Sequence, residues 1–171
     1  QAANLAFSMT MLDAAGPPFA SSAESWVAAL PTVRIPGRFQ RTGSFILDVA
    51  HNPAGIEVLV QTIRSVSPAE PIVVLLCVLR DKDWRDMIRV LAGVATRFVL
   101  TMAPTAPASR AWDLDEAAAF ARETGREVDV VPDFRDAIAR AETGAGSVLV
   151  TGSFHTVGDA MSLLPLVTKA G

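Results

Sequence analysis

Apolar residues in the first fifteen positions recur at Leu5, Met9 and Leu12, with alanines filling much of the space between. That spacing predicts a helix, and Gly16-Pro17-Pro18 stops it. A second, short helix is predicted over about 23–30, ending before Pro31. The stretch Arg34-Ile35-Pro36-Gly37-Arg38-Phe39-Gln40-Arg41 is polar and basic, and its Pro-Gly reads as a turn. A domain boundary is expected near Pro31, separating 1–31 from 32–171.

Beyond that boundary the pattern alternates between strand and helix. Residues 45–49 form a short apolar run, broken by His51-Asn52-Pro53. Asn52 suits an N-cap, and Pro53 suits the first helical position, where its missing N–H would be unpaired anyway. The following helix, to about Val66, carries Ile56, Leu59, Val60 and Ile63 on one face. Further strands are predicted over 72–79, 98–101, 128–131 and 147–151, and helices over 83–91, 115–124 and 133–142. A last helix starts near 155–158. The run 72–79 is unbroken and apolar, as in a strand covered on both sides. The fold expected is α/β, a mainly parallel sheet with helices on both faces.

Composition narrows the function classes. The chain has 171 residues, half of them apolar, which excludes a disordered chain. Its 15 basic and 18 acidic residues leave a net charge of −3, too little positive charge for a nucleic-acid partner. Cys77 is the one cysteine, so neither an internal disulfide nor a cysteine-based zinc site is available, and a cytoplasmic setting is expected. The richest apolar run ends at Arg80-Asp81-Lys82-Asp83, far short of the ~18–20 residues of a membrane span. The start, Gln1-Ala2-Ala3-Asn4, has no Met and no basic region before an apolar segment, so a piece of a longer protein is expected rather than a signal peptide.

In parallel sheets, ligands gather at the carboxyl ends of the strands. The residues expected there include Asp48 and His51, Arg80 to Asp83, Thr105 and Arg110, and Thr151 to His155. Both histidines of the chain, His51 and His155, fall beyond strand ends on that edge. Each residue also has a purely structural reading. Asp48 could tie down its loop by accepting backbone N–H bonds, His51 could be a satisfied surface group, and Asp81 and Asp83 could cap a helix. Thr151-Gly152-Ser153 gives a tight turn suited to a ligand or to packing. Gly-x-Gly-x-x-Gly, Gly-x-x-x-x-Gly-Lys-Ser/Thr and Gly-x-Ser-x-Gly are all absent. Spacing alone therefore ends at a ligand-binding α/β domain.

The motifs go further. Pro36-Gly37-Arg38-Phe39-Gln40, followed by Ile46-Leu47-Asp48-Val49-Ala50-His51-Asn52-Pro53-Ala54, resembles the C-terminal domain of the folylpolyglutamate synthase/dihydrofolate synthase family, in the Mur ligase superfamily. Arg80-Asp81-Lys82-Asp83, Arg110-Ala111, and Gly152-Ser153-Phe154 ahead of Gly158 agree with it in order and spacing. Gln1 to Ala6 resembles the helix that closes the family's central ATPase domain.

The resemblance implies a Rossmann-like domain preceded by a helical remnant of the central domain. It implies an enzyme that joins L-glutamate to dihydropteroate or a folate at the expense of ATP, through an acyl phosphate that the glutamate amine attacks. By the same resemblance Arg38 contacts the nucleotide, Asp48 holds it through ribose hydroxyls, and Asn4 contacts ATP from the central-domain side. His51 and Ser153 would lie near the cleft in supporting catalytic roles. Arg34 and Arg41 are basic neighbours without a motif match. The phosphate loop, the Mg²⁺ ligands and most of the pterin site belong to the family's N-terminal ATPase domain, the expected partner. This chain is thus expected to hold no metal, to close over ATP bound elsewhere and to be inactive alone. A cell-wall Mur ligase domain and a free-standing α/β binding module are the alternatives, and Pro36 to Gln40 argues against the first.

Overall fold

The computed structural model describes residues 2–33 and 35–165 and divides into two units, Gln1–Ile35 and Pro36–Gly171. Gln1 and Arg34 lie outside the described residues. In the first unit, helix α1 (Ala2–Ala15) is followed by helix α2 (Ala23–Ala29) and a single 3-10 turn, Leu30–Thr32. Leu5, Met9 and Leu12, four and three residues apart, are the half-buried stripe of α1. Phe7 and Met11 on its other faces are exposed. Ser22 caps α2 by accepting the Ser25 N–H at 3.2 Å.

The second unit is a six-stranded sheet. In chain order its elements are β1 (Gln40–Thr42), β2 (Phe45–Leu47), α3 (Pro53–Val66), β3 (Ile72–Leu76), α4 (Trp84–Leu91) and β4 (Arg97–Leu100). Then come α5 (Leu114–Glu123), β5 (Glu127–Val130), α6 (Phe134–Glu142), β6 (Ser147–Thr151) and α7 (Phe154–Leu163). The spatial order is β1-β2-β6-β3-β4-β5, with β1 antiparallel to β2 and every other pair parallel. Helices cover both faces, as the unbroken apolar strands require.

Side-chain alternation along β3 divides the core. Ile72, Val74 and Leu76 join Phe98, Leu149 and the buried faces of α3, α4 and α5. Val73 and Leu75 face the other way, against Val148, Val150 and the apolar residues of α6 and α7. Edge strand β1 is the element that the hydrophobic pattern does not predict. Of Gln40-Arg41-Thr42 only Thr42 is buried, so its strand conformation comes from pairing with β2 rather than from periodicity.

Each helix from α3 to α7 begins at a side-chain cap. Asn52, Asp83, Asp113, Asp133 and Ser153 accept the N–H of the residue three positions on, at 2.8, 3.2, 2.9, 2.9 and 3.0 Å. Asp83 and Asp133, expected as first helical residues, are therefore the caps just outside their helices. Among the described residues no helix is long and apolar enough to cross a membrane.

One ion network ties the far edge of the sheet to α6. The Arg97 side chain is only 10% exposed; it donates to Asp129 Oδ2 at 2.7 Å and to the carbonyls of Arg140 and Thr143 at 3.3 and 2.7 Å. Arg140 forks onto the same carboxylate at 2.8 and 3.0 Å. The hydrogen bonds from Arg140, with the added charge of Arg97, hold Asp129 below the ordinary carboxylate range. Asp129→Asn should therefore cost about 2 kcal/mol of stability at neutral pH, measured by urea unfolding. A carboxylate with a lowered folded pKa stabilises fully above the unfolded value, about 3.9, and loses that contribution as pH falls through the folded value. The gap between wild type and variant should thus close on acidification below about pH 4.

Candidate functional site

The Pro36-Gly37-Arg38-Phe39 turn owes its shape to two left-handed residues, Gly37 at φ +69° and Phe39 at φ +45°. A Cβ at Gly37 would lie 2.8 Å from Val49 Cγ1, so both the conformation and the space demand glycine. The turn is held on three sides. Gly37 donates its N–H to Gln40 Oε1 at 3.0 Å, its carbonyl accepts the Val49 N–H at 2.8 Å, and Phe39 donates to Asp48 Oδ2 at 2.9 Å. Arg38 is thereby presented on the surface, with no ion-pair partner among the described residues. The second Asp48 oxygen accepts the Ala50 N–H at 2.9 Å, which fixes the loop leading to His51.

The carboxyl ends of β2, β3 and β6 are laced together. Ala50 O accepts the Gly152 N–H at 3.1 Å and the Thr151 hydroxyl at 3.3 Å, and Cys77 O accepts the Thr156 hydroxyl at 2.8 Å. Gly152, at φ +112°, passes so close that a Cβ would sit 2.5 Å from Cys77 O. Ser153 follows, 3% exposed, its hydroxyl committed to capping α7 and to Thr156 Oγ1 at 2.7 Å. Burial pushes the Cys77 thiol above its ordinary range, so it is a packing group here and not a nucleophile.

Above these loops lies a cavity of about 250 Å³, walled by His51, Lys82, Arg110, Phe154 and His155, with Gly152 and Ser153 beneath. His51 Nδ1 faces the Val49 carbonyl at 3.0 Å; a carbonyl only accepts, so Nδ1 carries a proton there. Its ring centroid is 5.4 Å from that of Phe154. Arg110 forks onto Asp81 at 2.9 and 2.7 Å and holds that carboxyl below the usual range. Lys82 has no ion pair among the described residues, which leaves the cavity with an unneutralised cation suited to an anionic group. A larger cavity, about 400 Å³, opens at the opposite ends of the strands between Arg64, Glu70, Thr96 and Arg126. It faces the carbonyl-bearing C-termini of α3 and α4, away from every loop in which the sequence concentrates chemistry.

The structure thus places Arg38 and Asp48 on one strapped turn, and His51 and Ser153 at one cavity. Asn4 lies in the first turn of α1, in the other unit; it is exposed, and its carbonyl accepts the Ser8 hydroxyl at 2.9 Å. Lys82 and Arg110 stood within recognised motifs, but only the fold brings them to His51. No group of three or more His, Cys, Asp or Glu that could hold a metal occurs among the described residues. Asp48→Asn should destabilise the chain by about 1–3 kcal/mol in urea unfolding, because an amide presents one acceptor where two N–H groups converge.

Comparison with known proteins agrees with this fold. A family model, Mur ligase, glutamate ligase domain, matches residues 37–154. The dihydrofolate synthase/folylpolyglutamate synthase of Bacillus subtilis (strain 168) is 32% identical over 130 residues, 72% of this chain and 29% of that protein. Mycobacterium tuberculosis folylpolyglutamate synthase complexed with ADP superimposes with a TM-score of 0.73 at 30% identity, covering 84% of this chain and 35% of that one. The bifunctional folylpolyglutamate synthase/dihydrofolate synthase of Yersinia pestis, complexed with AMPPNP and Mn ion, gives 0.68 at 27% identity over 83% and 34%. The chain therefore spans about a third of the length of these relatives. Since the matched stretch takes in the strapped Arg38 turn, the whole sheet and nearly all of the cavity wall, the chain belongs to the family of the Mur ligase, glutamate ligase domain.

Proposed function

We propose that this chain is the C-terminal, cleft-closing domain of an ATP-dependent ligase that adds L-glutamate to dihydropteroate or folates. The observation that carries the reading is the Pro36–Phe39 turn, strapped to Asp48 and presenting an Arg38 with no ion-pair partner among the described residues, in a chain of this family. Residues 1–31 are then the helical end of a central ATPase domain, and 32–171 the domain that closes over it. The ADP and AMPPNP complexes of the M. tuberculosis and Y. pestis relatives support a nucleotide as the ligand.

The residues present suit a nucleotide. An exposed guanidinium places a fixed positive charge where phosphates need one. Each Asp48 oxygen has one backbone partner and a second lone pair, enough to accept ribose hydroxyls without releasing the turn. Asn4 contacts the nucleotide from the central-domain side. His51 lines the cavity with Nδ1 turned to the Val49 carbonyl, and Ser153 supports it by fixing the start of α7. In this reading the magnesium ligands belong to the preceding ATPase domain. ATP supplies the phosphoryl group that activates the substrate carboxyl as an acyl phosphate, and the glutamate amine then forms the amide.

The test is turnover by the longer protein that carries this chain behind its ATPase domain. ADP release should depend on both L-glutamate and a folate or dihydropteroate, and the 171-residue chain alone should give none. Arg38→Ala should lower kcat/KM about tenfold or more. Its unfolding midpoint should stay put, since Arg38 is exposed. An unchanged kcat/KM would remove Arg38 from the nucleotide site, and turnover of UDP-linked peptides in place of folates would move the chain to the cell-wall branch.

A further inference from the structure

Beside the cavity, three polar side chains from two separate elements form a single hydrogen-bonded line. Asp159 and His155 stand four residues apart on α7, and therefore on one helix face. Thr105 comes from the loop that follows β4. Asp159 is a carboxylate only 8% exposed, and no Lys or Arg pairs with it among the described residues. Its Oδ2 accepts the Thr105 N–H at 3.1 Å and the Thr105 hydroxyl at 3.2 Å. The same hydroxyl lies 3.0 Å from His155 Nδ1.

A threonine hydroxyl has one proton to give. Asp159 is a pure acceptor and takes it, so toward His155 the Thr105 oxygen can only accept, and Nδ1 must carry the ring proton. The neutral ring is thereby fixed with its lone pair on Nε2, which meets no partner among the described residues, on a side chain that lines the cavity. Pinning the Thr105 loop to α7 does not need the histidine, because the backbone N–H of Thr105 already reaches Asp159. What the third member adds is ring orientation. The arrangement repeats the logic by which a carboxylate fixes a histidine tautomer, with a hydroxyl interposed.

We propose that His155 is the proton-accepting residue of this cavity and that Thr105 and Asp159 are its positioning residues. The inference rests on the amide-forming reading above. An amino acid enters with its amine as ammonium, which has no lone pair. One N–H bond breaks, its proton goes to His155 Nε2, and the electron pair stays on nitrogen. That pair forms the new bond to the carbonyl carbon of the acyl phosphate. The bond from that carbon to the phosphate oxygen then breaks, and the phosphate leaves with its electron pair and the second amine proton. The imidazolium returns its proton to water once the amide has departed.

In the longer, active protein, His155→Ala should lower kcat about a hundredfold while the KM for ATP stays near its original value, and added imidazole should restore part of the loss. Thr105→Val should lower kcat with a smaller factor, and Thr105→Ser should recover it. In the 171-residue chain, nitrogen-15 NMR should show His155 with the proton on Nδ1, and Thr105→Val should abolish that preference. Wild-type kcat in His155→Ala, a loss that imidazole does not relieve, or a ring protonated on Nε2 would each overturn the inference. A wild-type protein that forms no glutamate amide would instead defeat the ligase reading, and this inference with it.

Discussion

One carboxylate organises the edge of the sheet on which the site is built. Asp48 directly follows β2; one oxygen holds the Phe39 N–H and the other the Ala50 N–H. Bonds of this charge-assisted kind contribute about 1.5–3 kcal/mol each. From the first hang the turn that presents Arg38 and the edge strand β1; from the second hangs the loop that delivers His51 and the Asn52 cap of α3. Because β2 is paired along its length with β6, the two halves of the site share a rigid reference. A loop tie and a nucleotide contact are thus compatible duties for Asp48, since each backbone bond uses one lone pair of two.

The second constraint is closeness. Gly152 passes Cys77 O at a distance no side chain allows, and Ala50, Thr151, Gly152 and Thr156 lace three strand ends into one platform. Loops usually carry function because a stiff scaffold positions them. Here the scaffold is the apolar centre of the sheet, whose strands β3 and β6 are buried along their whole length. The cavity sits at the carboxyl ends of the central strands, on that platform, whereas the larger hollow lies at their opposite ends.

Much of this was legible in the sequence, and the limits have physical causes. Asn52-Pro53 announced α3 because capping is local, and the run from Ile72 announced a central strand because burial on both faces leaves no polar position. Strand β1 was not legible, since Gln40 and Arg41 carry no apolar signal and their conformation is imposed by β2. The need for glycine at position 37 depends on Val49 and Val157, which periodicity does not connect to it. Asp48 could be read two ways from its spacing, and only the backbone partners at Phe39 and Ala50 define its structural duty. The line from Asp159 through Thr105 to His155 joins residues about fifty positions apart, so no local pattern reports it. A buried acid one helical turn beyond a strand-end histidine was its faint signal.

In the proposed function, this domain closes over a nucleotide through the turn that Asp48 fixes. The most direct measurement is a crystal structure of the longer protein bound to a non-hydrolysable ATP analogue. Such closure puts the Arg38 guanidinium on the phosphates and the Asp48 carboxylate within hydrogen-bond distance of the ribose, with the Phe39 and Ala50 bonds intact. A bound nucleotide with Arg38 turned to solvent and Asp48 contacting only its own backbone partners would contradict it.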